Sequence, residues 1–359
     1  MQSQTRIDIQ SPPALSSATD GDPCEFYQAH LERVSRSFAF CLAQLDAPFR
    51  EWLSLAYLLF RLLDTVEDAT WPTPELQQLQ FQAFDAFVLD HRVDAAAITA
   101  WAARFPGDIP EGEQRLLTDT ATVLAHVHAL PPAARTALLR CYSDMSTGMQ
   151  HFCASGLTGF ETSVVLNQYC FYVAGVIGEL TNDLLAAARP ELALAPERLV
   201  DCYHLGLALQ KVNILKDQRT DEQVGRRFFT DRDALLASLV GNLPGALRCV
   251  LAMPGEIVSL RLFCAWSLFM GMATIPWVVR SWEEDVAPKL PRAETALLLA
   301  EIDGAITDAD ALQRLYERLA AALPVTTPSA DSHQPVAVTL PAGYRGNLGA
   351  ADLHDLLVR

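Results

Sequence analysis

Apolar residues in the central part of the chain recur at intervals of three and four positions. This spacing is typical of one face of an α-helix, and one such series is Leu53, Ala56, Tyr57, Phe60 and Leu63. Sustained alternation of apolar and polar residues, which marks a strand, is not evident. Proline-containing breaks separate the series and lie at 46–48, 71–74, 105–110, 131–132, 189–190 and Pro244. The pattern predicts an all-α protein, as one large helical bundle rather than two domains.

One predicted helix carries a polar stripe on an otherwise apolar surface. The stripe consists of Tyr57, Arg61, Asp64 and Asp68, with Glu67 beside it. Successive members are four, three and four positions apart, which places them on one helix face. The neighbouring residues are mainly Leu, Ala, Val and Phe. We therefore expect this helix inside the bundle, with its polar face directed toward a central cavity.

A second polar stripe lies much further along the chain, on another apolar segment. Its members are Gln210, Asn213, Asp217 and Asp221, separated by three, four and four positions. In a chain with 43 acidic residues, one acidic pair at such a spacing is usually a solvated helix face. Two matched stripes, both with cationic neighbours, favour a functional site over that alternative.

Carboxylates one helical turn apart suit a specific chemistry. Mg²⁺ is typically held by one or two carboxylates together with phosphate oxygens and water. The two stripes can bridge metal ions to a diphosphate, and Arg61 and Arg226 can bind its remaining oxygens. Metal and arginine would stabilise a departing diphosphate. An apolar, aromatic-lined cavity would exclude water from the carbocation that is left.

A third segment, YCFYVAGVIG, supplies aromatic rings and small residues. Tyr169 and Tyr172 are three positions apart and share a face on a regular helix. Gly175 and Gly178 lower helix propensity, and they permit close helix packing or a kink. Taken alone, a tyrosine pair on an apolar helix is more often core packing than part of a site.

Composition and charge exclude several classes of function. Half of the 359 residues are hydrophobic, so the chain as a whole is not disordered. A formal net charge of −16 disfavours nucleic acid as a partner. The eight cysteines lack zinc-site spacing, and the first twenty residues lack the apolar core of a signal peptide. We therefore expect the cytoplasm as the location.

The chain is predicted to have three parts. Residues 1–23 are rich in Ser, Pro and Asp and are expected to be disordered; residues 24–323 form the helical domain; and residues 324–359 form a flexible tail with a short helix. Within the domain, residues 262–279 are almost uncharged, and a buried core helix is favoured over a membrane span. Transient contact with a membrane surface stays open, and the sequence does not specify the oligomeric state.

Four blocks of the sequence resemble the squalene/phytoene synthases, and in particular their squalene-forming members. The similarity covers roughly residues 27–323 and implies the all-α isoprenoid-synthase fold with a central cavity. Its blocks are SRSF from Ser35, the stretch from Tyr57 that ends in DTVED, YCFYVAGVIG from Tyr169, and LQKVNILKD from Leu209 with GRRFF after it.

The resemblance implies roles for individual residues. Those implied in catalysis are Tyr169, Tyr57 and Arg61. Those implied in substrate binding are Ser35, Arg36, Ser37, Phe38, Tyr172, Gln210, Asn213, Arg226 and Phe228. Those implied in holding Mg²⁺ are Asp64, Glu67, Asp68, Asp217 and Asp221. A basic segment that resembles the cofactor-phosphate region contains Lys289 and Arg292.

The implied reaction is the head-to-head condensation of two farnesyl diphosphates. In the first half, Tyr169 assists the proton loss that closes the cyclopropane of presqualene diphosphate. In the second half, ionisation, rearrangement and hydride delivery from NADPH give squalene. The sequence departs from the family pattern at Thr220, where a glutamate is usual, at Phe171, where histidine is common, and at Pro291 in the cofactor-phosphate segment.

Two alternatives remain at this point. One is a phytoene- or dehydrosqualene-type synthase, or a condensing-only enzyme, which needs no hydride donor. The other is an inactive member of the fold that serves as an assembly or binding factor. Such a factor tends to lose the carboxylates, so the four motif aspartates favour an enzyme.

Overall fold

The computed structural model describes residues 22–89, 94–158, 160 and 162–324, although the side chain of Ser37 lies outside the described part. Throughout these ranges the regular structure is helical and no strand occurs, so the predicted all-α class is confirmed. The α-helices are α1 (Pro23–Val34), α2 (Arg36–Ala43), α3 (Phe49–Asp68), α4 (Pro74–Leu89), α5 (Ala95–Ala102), α6 (Glu111–Thr118), α7 (Thr120–Ala129), α8 (Pro132–Cys153), α9 (Ser163–Cys170), α10 (Val176–Ala188), α11 (Pro196–Gln223), α12 (Arg232–Ala252), α13 (Val258–Arg280), α14 (Arg292–Ala305) and α15 (Ala309–Ala321).

The first described helix starts at the predicted boundary of the helical domain. Pro23 occupies the first turn of α1, where the backbone N–H has no partner within the helix and its absence loses no hydrogen bond. The Asp22 carboxylate caps this turn by accepting a hydrogen bond from the Cys24 N–H at 2.9 Å. The predicted end segments, 1–23 and 324–359, lie outside the described residues except for 22, 23 and 324. The nature of those segments stays a prediction.

Helix α3 runs through the centre of the molecule. Fourteen of its twenty residues are buried, because α1, α6, α7 and α8 pack around it. A helix that is apolar on nearly every side needs partners on nearly every side. The residues of α3 that are not buried include the four members of the predicted polar stripe, Tyr57, Arg61, Asp64 and Asp68. The fold therefore leaves open the one face that carries charge.

Helix α11 packs closely against α12 and against the segment from α9 to α10. A Cβ atom at Gly206 would lie only 2.4 Å from the carbonyl oxygen of Ala174. A Cβ atom at Gly178 would lie 2.8 Å from the backbone of Cys202. The close packing predicted for Gly178 is thus confirmed. Glycine is required at both positions because the two helix backbones touch there.

A single turn of π-helix, Phe171–Gly175, joins α9 to α10. Such turns insert an extra residue into an α-helix and often occur at functional sites. Two residues of this turn, Val173 and Ala174, line the central cavity described below. The irregular turn therefore lies where the helix passes the cavity.

Pro244 does not separate two helices, contrary to the prediction from sequence. It lies inside α12, which runs without interruption from Arg232 to Ala252. A proline within a helix costs about 3 kcal/mol, because it removes a hydrogen bond and crowds the preceding turn. The buried side chains of Leu239, Leu243 and Leu247 each contribute about 1.5–3 kcal/mol on burial. Packing on both sides of the proline therefore outweighs its cost.

By length and composition alone, three described helical stretches are long and apolar enough to cross a membrane: Ser163–Ala188, Arg232–Ala252 and Val258–Arg280. The last contains the uncharged residues 262–279, for which a core helix was favoured. It packs against α11, α12, α14 and α15, and its buried face includes Cys264, Phe269 and Ile275. That face of α13 is part of the core.

We predict that Gly206→Ala destabilises the protein by about 1–3 kcal/mol, because the new methyl group would press against the Ala174 carbonyl. Urea unfolding followed by circular dichroism measures the change. Gly304→Ala is the matched control, since nothing lies within 4 Å of a Cβ at that helical position. The control is expected to stay within about 1 kcal/mol of wild type. Equal effects of the two substitutions would contradict the close contact.

Candidate active site

A central cavity of about 240 Å³ lies between helices α3, α10, α11 and α13. Most of its wall is apolar, formed by side chains such as Leu53, Phe60, Ile177, Leu209 and Phe263. Its polar lining includes residues of both predicted stripes: Tyr57, Arg61 and Asp64 from α3, and Gln210 and Asn213 from α11. Two segments more than 140 positions apart in sequence thus share one cavity.

The α3 stripe is held together by contacts of Arg61. Its Nη2 donates a hydrogen bond to the Tyr57 hydroxyl at 3.0 Å, and its Nη1 lies 3.8 Å from Oδ2 of Asp64. The ring of Phe38 packs 5.2 Å from that of Tyr57. Burial raises the pKa of Asp64 to about 6; Asp68 adds to this rise and Arg61 opposes it. The carboxylate is therefore in a site where negative charge is costly.

Arg226 joins the two stripes. Its Nη1 donates to Oδ1 of Asp68 at 2.5 Å, and its backbone N–H donates to the carbonyl oxygen of Asp221 at 2.9 Å. The pKa of Asp221 is raised to about 6, mainly by burial and further by Asp217 and Asp68. Because Asp68 acts on the pKa of Asp221, the ends of the two acidic rows lie close enough to repel each other.

These carboxylates fit Mg²⁺ held jointly with phosphate. Among the described residues, no group of three or more His, Cys, Asp or Glu side chains is arranged as a complete metal site. Mg²⁺ usually takes only one or two carboxylates and completes its shell with phosphate oxygens and water. The raised pKa values of Asp64 and Asp221 reflect negative charge that a cation would neutralise. The donor chemistry therefore suits a metal–diphosphate complex.

The structure does not bring Glu67 to the cavity wall, and of the four predicted aspartates only Asp64 is a lining residue, whereas Asp217 is exposed beside Lys216. The Glu67 side chain is buried, and its Oε2 accepts a hydrogen bond from the Tyr169 hydroxyl at 3.3 Å. The Sγ of Cys153 lies 3.8 Å from its Oε1. Burial raises the pKa of Glu67, and Asp68 and Asp64 raise it further. Glu67 is thus bonded to a tyrosine, while its charge stays near those of Asp64 and Asp68.

Tyr169 lies in a buried aromatic cluster. The rings of Phe152, Phe160 and Phe228 are 5.2 to 5.4 Å from its own. Burial raises the pKa of the Tyr169 hydroxyl well above its usual range, and the nearby Glu67 carboxylate raises it further. Tyr169 is not among the residues that line the central cavity. Its hydroxyl connects the aromatic cluster to α3.

Comparison with known families agrees with this architecture. A sequence profile described as squalene/phytoene synthase matches residues 31–235, which is more than half of the chain. The chain belongs to the squalene/phytoene synthase family.

The squalene synthases that this chain resembles are longer than the region in which the sequences match. Squalene synthase from Eremothecium gossypii is 31% identical over 204 residues, which are 55% of this chain and 44% of that protein. Squalene synthase from Homo sapiens is 30% identical over 200 residues, which are 56% of this chain and 45% of that protein. The chain therefore matches less than half the length of these squalene synthases.

Solved structures show the same fold. The complex of TcSQS with the ligand E5700 has a TM-score of 0.70 at 22% identity, covering 94% of this chain and 96% of that chain. A dehydrosqualene synthase in complex with a ligand has a TM-score of 0.57 at 19% identity, covering 79% of this chain and 96% of that chain. The helical bundle of this squalene/phytoene synthase family member is thus shared well beyond the region matched by sequence.

The other predicted residues lie in several places. Phe38, which follows Ser35 and Arg36 at the start of α2, lines the cavity, whereas Arg36 is exposed. Tyr172 is buried, packs 5.5 Å from Phe171 and is not a lining residue of the cavity. The Ser37 side chain lies outside the described part, as noted above.

The predicted cofactor contacts lie away from the cavity wall. Lys289 is exposed in the connection between α13 and α14, and Arg292 is exposed at the first position of α14. Neither residue lines the cavity. Their contact with a cofactor phosphate stays a prediction.

A buried lysine next to the second stripe was not predicted from the sequence. Lys211 is fully buried, and its Nζ donates to Oγ of Ser238 at 2.8 Å and to Oδ1 of Asn242 at 2.5 Å. Burial lowers its pKa to about 8. These bonds join α11 to α12 at the position next to Gln210. The signal available in the sequence was a cation amid apolar residues in LALQKVNIL.

A second buried ionic group, also missed, joins α8 to α10. Arg140 pairs with Asp183 and lies 3.4 Å from Oε1 of Glu179, and the Tyr203 hydroxyl of α11 donates to Oε2 of Glu179 at 3.3 Å. These contacts link three helices that surround the cavity. No local pattern pairs residues that are about 40 positions apart, so sequence reasoning had no signal for them.

We predict that Lys211 gives the protein a distinctive pH dependence. Its pKa is about 8 in the folded state and about 10.4 in the unfolded chain. Between these values only the unfolded state binds the proton, so stability rises with pH through this window. Relative to Lys211→Met, wild type is expected to gain about 2 kcal/mol between pH 7 and pH 10.

Urea unfolding of both proteins across this pH range measures the difference. Lys289→Met serves as the control, because Lys289 is an exposed lysine and its removal should leave the pH dependence of wild type unchanged. Identical pH profiles for wild type and Lys211→Met would show that the lysine is not held in the low-dielectric interior.

Proposed function

We propose that this protein condenses two farnesyl diphosphates head to head into presqualene diphosphate and converts that intermediate reductively to squalene. The observation that carries the proposal is that residues of both polar stripes line one largely apolar cavity. A prenyl diphosphate matches this combination of polar and apolar lining, because it has a charged head and a long apolar chain. Membership of the squalene/phytoene synthase family and the squalene synthases among its relatives support this choice.

The diphosphate head binds at the polar end of the cavity. Asp64, Asp68, Asp217 and Asp221 would hold Mg²⁺, which when bound neutralises the diphosphate and favours its departure. Arg226, already between the two rows, is available to exchange its bond with Asp68 for a phosphate oxygen. Arg61 serves in the same way from the α3 side.

The prenyl chain occupies the apolar part of the cavity. Burial of the chain against side chains such as Phe60, Ile177 and Leu209 excludes water from the cation that forms when the diphosphate leaves. The rings of Phe38, Tyr57 and Phe60 are at the cavity surface and can stabilise positive charge through their faces. The enzyme thereby keeps the cation from being captured as an alcohol.

Tyr169 moves the proton that is lost in the first half-reaction. Its hydroxyl already donates to the Glu67 carboxylate, so the oxygen retains lone pairs that can accept a proton. As Tyr169 accepts that proton, its own can pass to Oε2 of Glu67. Glu67 is therefore assigned as the partner of Tyr169 instead of as a metal ligand, and substrate must reach the aromatic cluster for this step.

The reductive half-reaction uses NADPH, which supplies the hydride when bound. Lys289 and Arg292 would contact its phosphate groups. Pro291 between them stands where a second basic residue is usual, and this observation favours a second candidate, a condensing-only or dehydrosqualene-type synthase without reduction. The proposed location is the cytoplasm, with transient membrane contact that takes up the insoluble product.

The prediction is that purified protein with farnesyl diphosphate and Mg²⁺ forms presqualene diphosphate, and that squalene appears only when NADPH is added. Product extraction and mass spectrometry measure both compounds. Absence of both across reasonable conditions would refute the proposal. Presqualene diphosphate alone, or dehydrosqualene, would establish the second candidate.

The double variant Asp64→Asn/Asp217→Asn is expected to lower turnover at least about 100-fold, because charge that holds the metal–diphosphate complex is lost from both rows. Circular dichroism should show unchanged helix content. Asp310→Asn, an exposed aspartate at the start of α15, is the control and should retain wild-type turnover. Undiminished turnover in the double variant would refute the assignment of the aspartates.

A further inference from the structure

Sulfur atoms are concentrated on one part of the cavity wall. Cys202 on α11, Cys249 on α12 and Cys264 on α13 all line the cavity, and so do Met145 and Met253. The three cysteines come from three consecutive helices that pack against one another. The proposed reaction gives none of these thiols a role.

Two of the thiols are in direct contact. The Sγ atoms of Cys202 and Cys249 are 3.1 Å apart, and the thiol of Cys264 also hydrogen-bonds to that of Cys249. In a disulfide the sulfur atoms are about 2.05 Å apart, so Cys202 and Cys249 need to approach by only about 1 Å. By contrast, the sulfur atoms of Cys141 and Cys153 contact oxygen atoms.

The thiols can be reached through the cavity. Each of the three side chains is almost completely buried, at 1 to 3% exposure, yet each forms part of the cavity surface. The cavity wall also includes Asn213, which is exposed to solvent and marks an opening. A reagent small enough to enter beside Asn213 therefore meets sulfur atoms inside.

We propose that Cys202 and Cys249 form a paired-thiol modification site, which takes two-electron oxidants and trivalent arsenicals. With an azodicarboxamide oxidant such as diamide, two S–H bonds break and one S–S bond forms. The two hydrogens pass to the azo nitrogens, so the cysteines are oxidised and diamide is reduced to a hydrazine. The product joins α11 covalently to α12 in the cavity wall.

Protonation sets the rate of this reaction. Hydrogen bonds with Cys202 and Cys264, together with burial, raise the pKa of Cys249 well above its usual range. Because the thiolate is the attacking species, oxidation is expected to be slow at neutral pH and faster at pH 8.5. The site does not depend on the proposed prenyl-transfer activity, since it requires only the cavity and the two sulfur atoms.

The test is oxidation of the full-length protein with diamide at pH 8.5, followed by blocking of free thiols, digestion without reductant and mass spectrometry. A cross-linked peptide pair that contains Cys202 and Cys249 is expected, and the free thiols of the denatured protein should fall from eight to six. Oxidation of other cysteines without this cross-link would overturn the proposal.

Alanine variants identify the reacting pair. Cys249→Ala should abolish the loss of two thiols, because Cys249 is the thiol that contacts both Cys202 and Cys264. Cys24→Ala, which removes a half-buried cysteine at the start of α1, should retain the cross-link. A cross-link lost in Cys24→Ala, or an unchanged loss of two thiols in Cys249→Ala, would overturn the assignment.

A measurement on wild type alone keeps the proposal testable if a variant fails to fold. Phenylarsine oxide binds two neighbouring thiols through one arsenic atom. Pretreatment with one equivalent is expected to give a single adduct by intact mass and to prevent the Cys202–Cys249 cross-link. Undiminished cross-linking after adduct formation would contradict the site.

Discussion

The structure depends on holding negative charges near one another beside an apolar cavity. Acidic residues of α3 and α11 are linked there through Arg226, and burial with mutual repulsion raises the pKa of Asp64 and of Asp221 to about 6. Arg226 offsets part of this repulsion through its bond to Asp68. Helix α3, which carries one of the rows, has fourteen of its twenty residues buried, and this packing fixes the position of the row.

Much of the fold could be predicted from the spacing of apolar residues. Helical periodicity identifies α3 and its open face correctly, because both depend on residues within a few turns of one another. Pro244 was misread because a local rule marks a break, whereas leucines that pack against other helices carry α12 through it. At that position, the free energy gained by burying side chains against other helices exceeds the cost of the low helix propensity of proline.

The candidate site could be predicted only in part, for the same reason. Spacing on a helix places Tyr57, Arg61, Asp64 and Asp68 on one face, and of these Tyr57, Arg61 and Asp64 line the cavity whereas Asp68 does not. It does not reveal that the Glu67 side chain is buried, because the Tyr169 hydroxyl that donates a hydrogen bond to it lies 102 positions further along the chain. The contacts of Lys211 with α12 and the contact of Cys202 with Cys249 are equally non-local.

The central claim is that the two acidic rows bind metal together. It is tested most directly by a crystal structure with Mn²⁺ and a non-hydrolysable farnesyl thiodiphosphate, using anomalous scattering to locate the metal. The account predicts anomalous peaks between α3 and α11, beside the aspartates of both rows. Peaks confined to one row, or metal bound elsewhere while the analogue occupies the cavity, would contradict it.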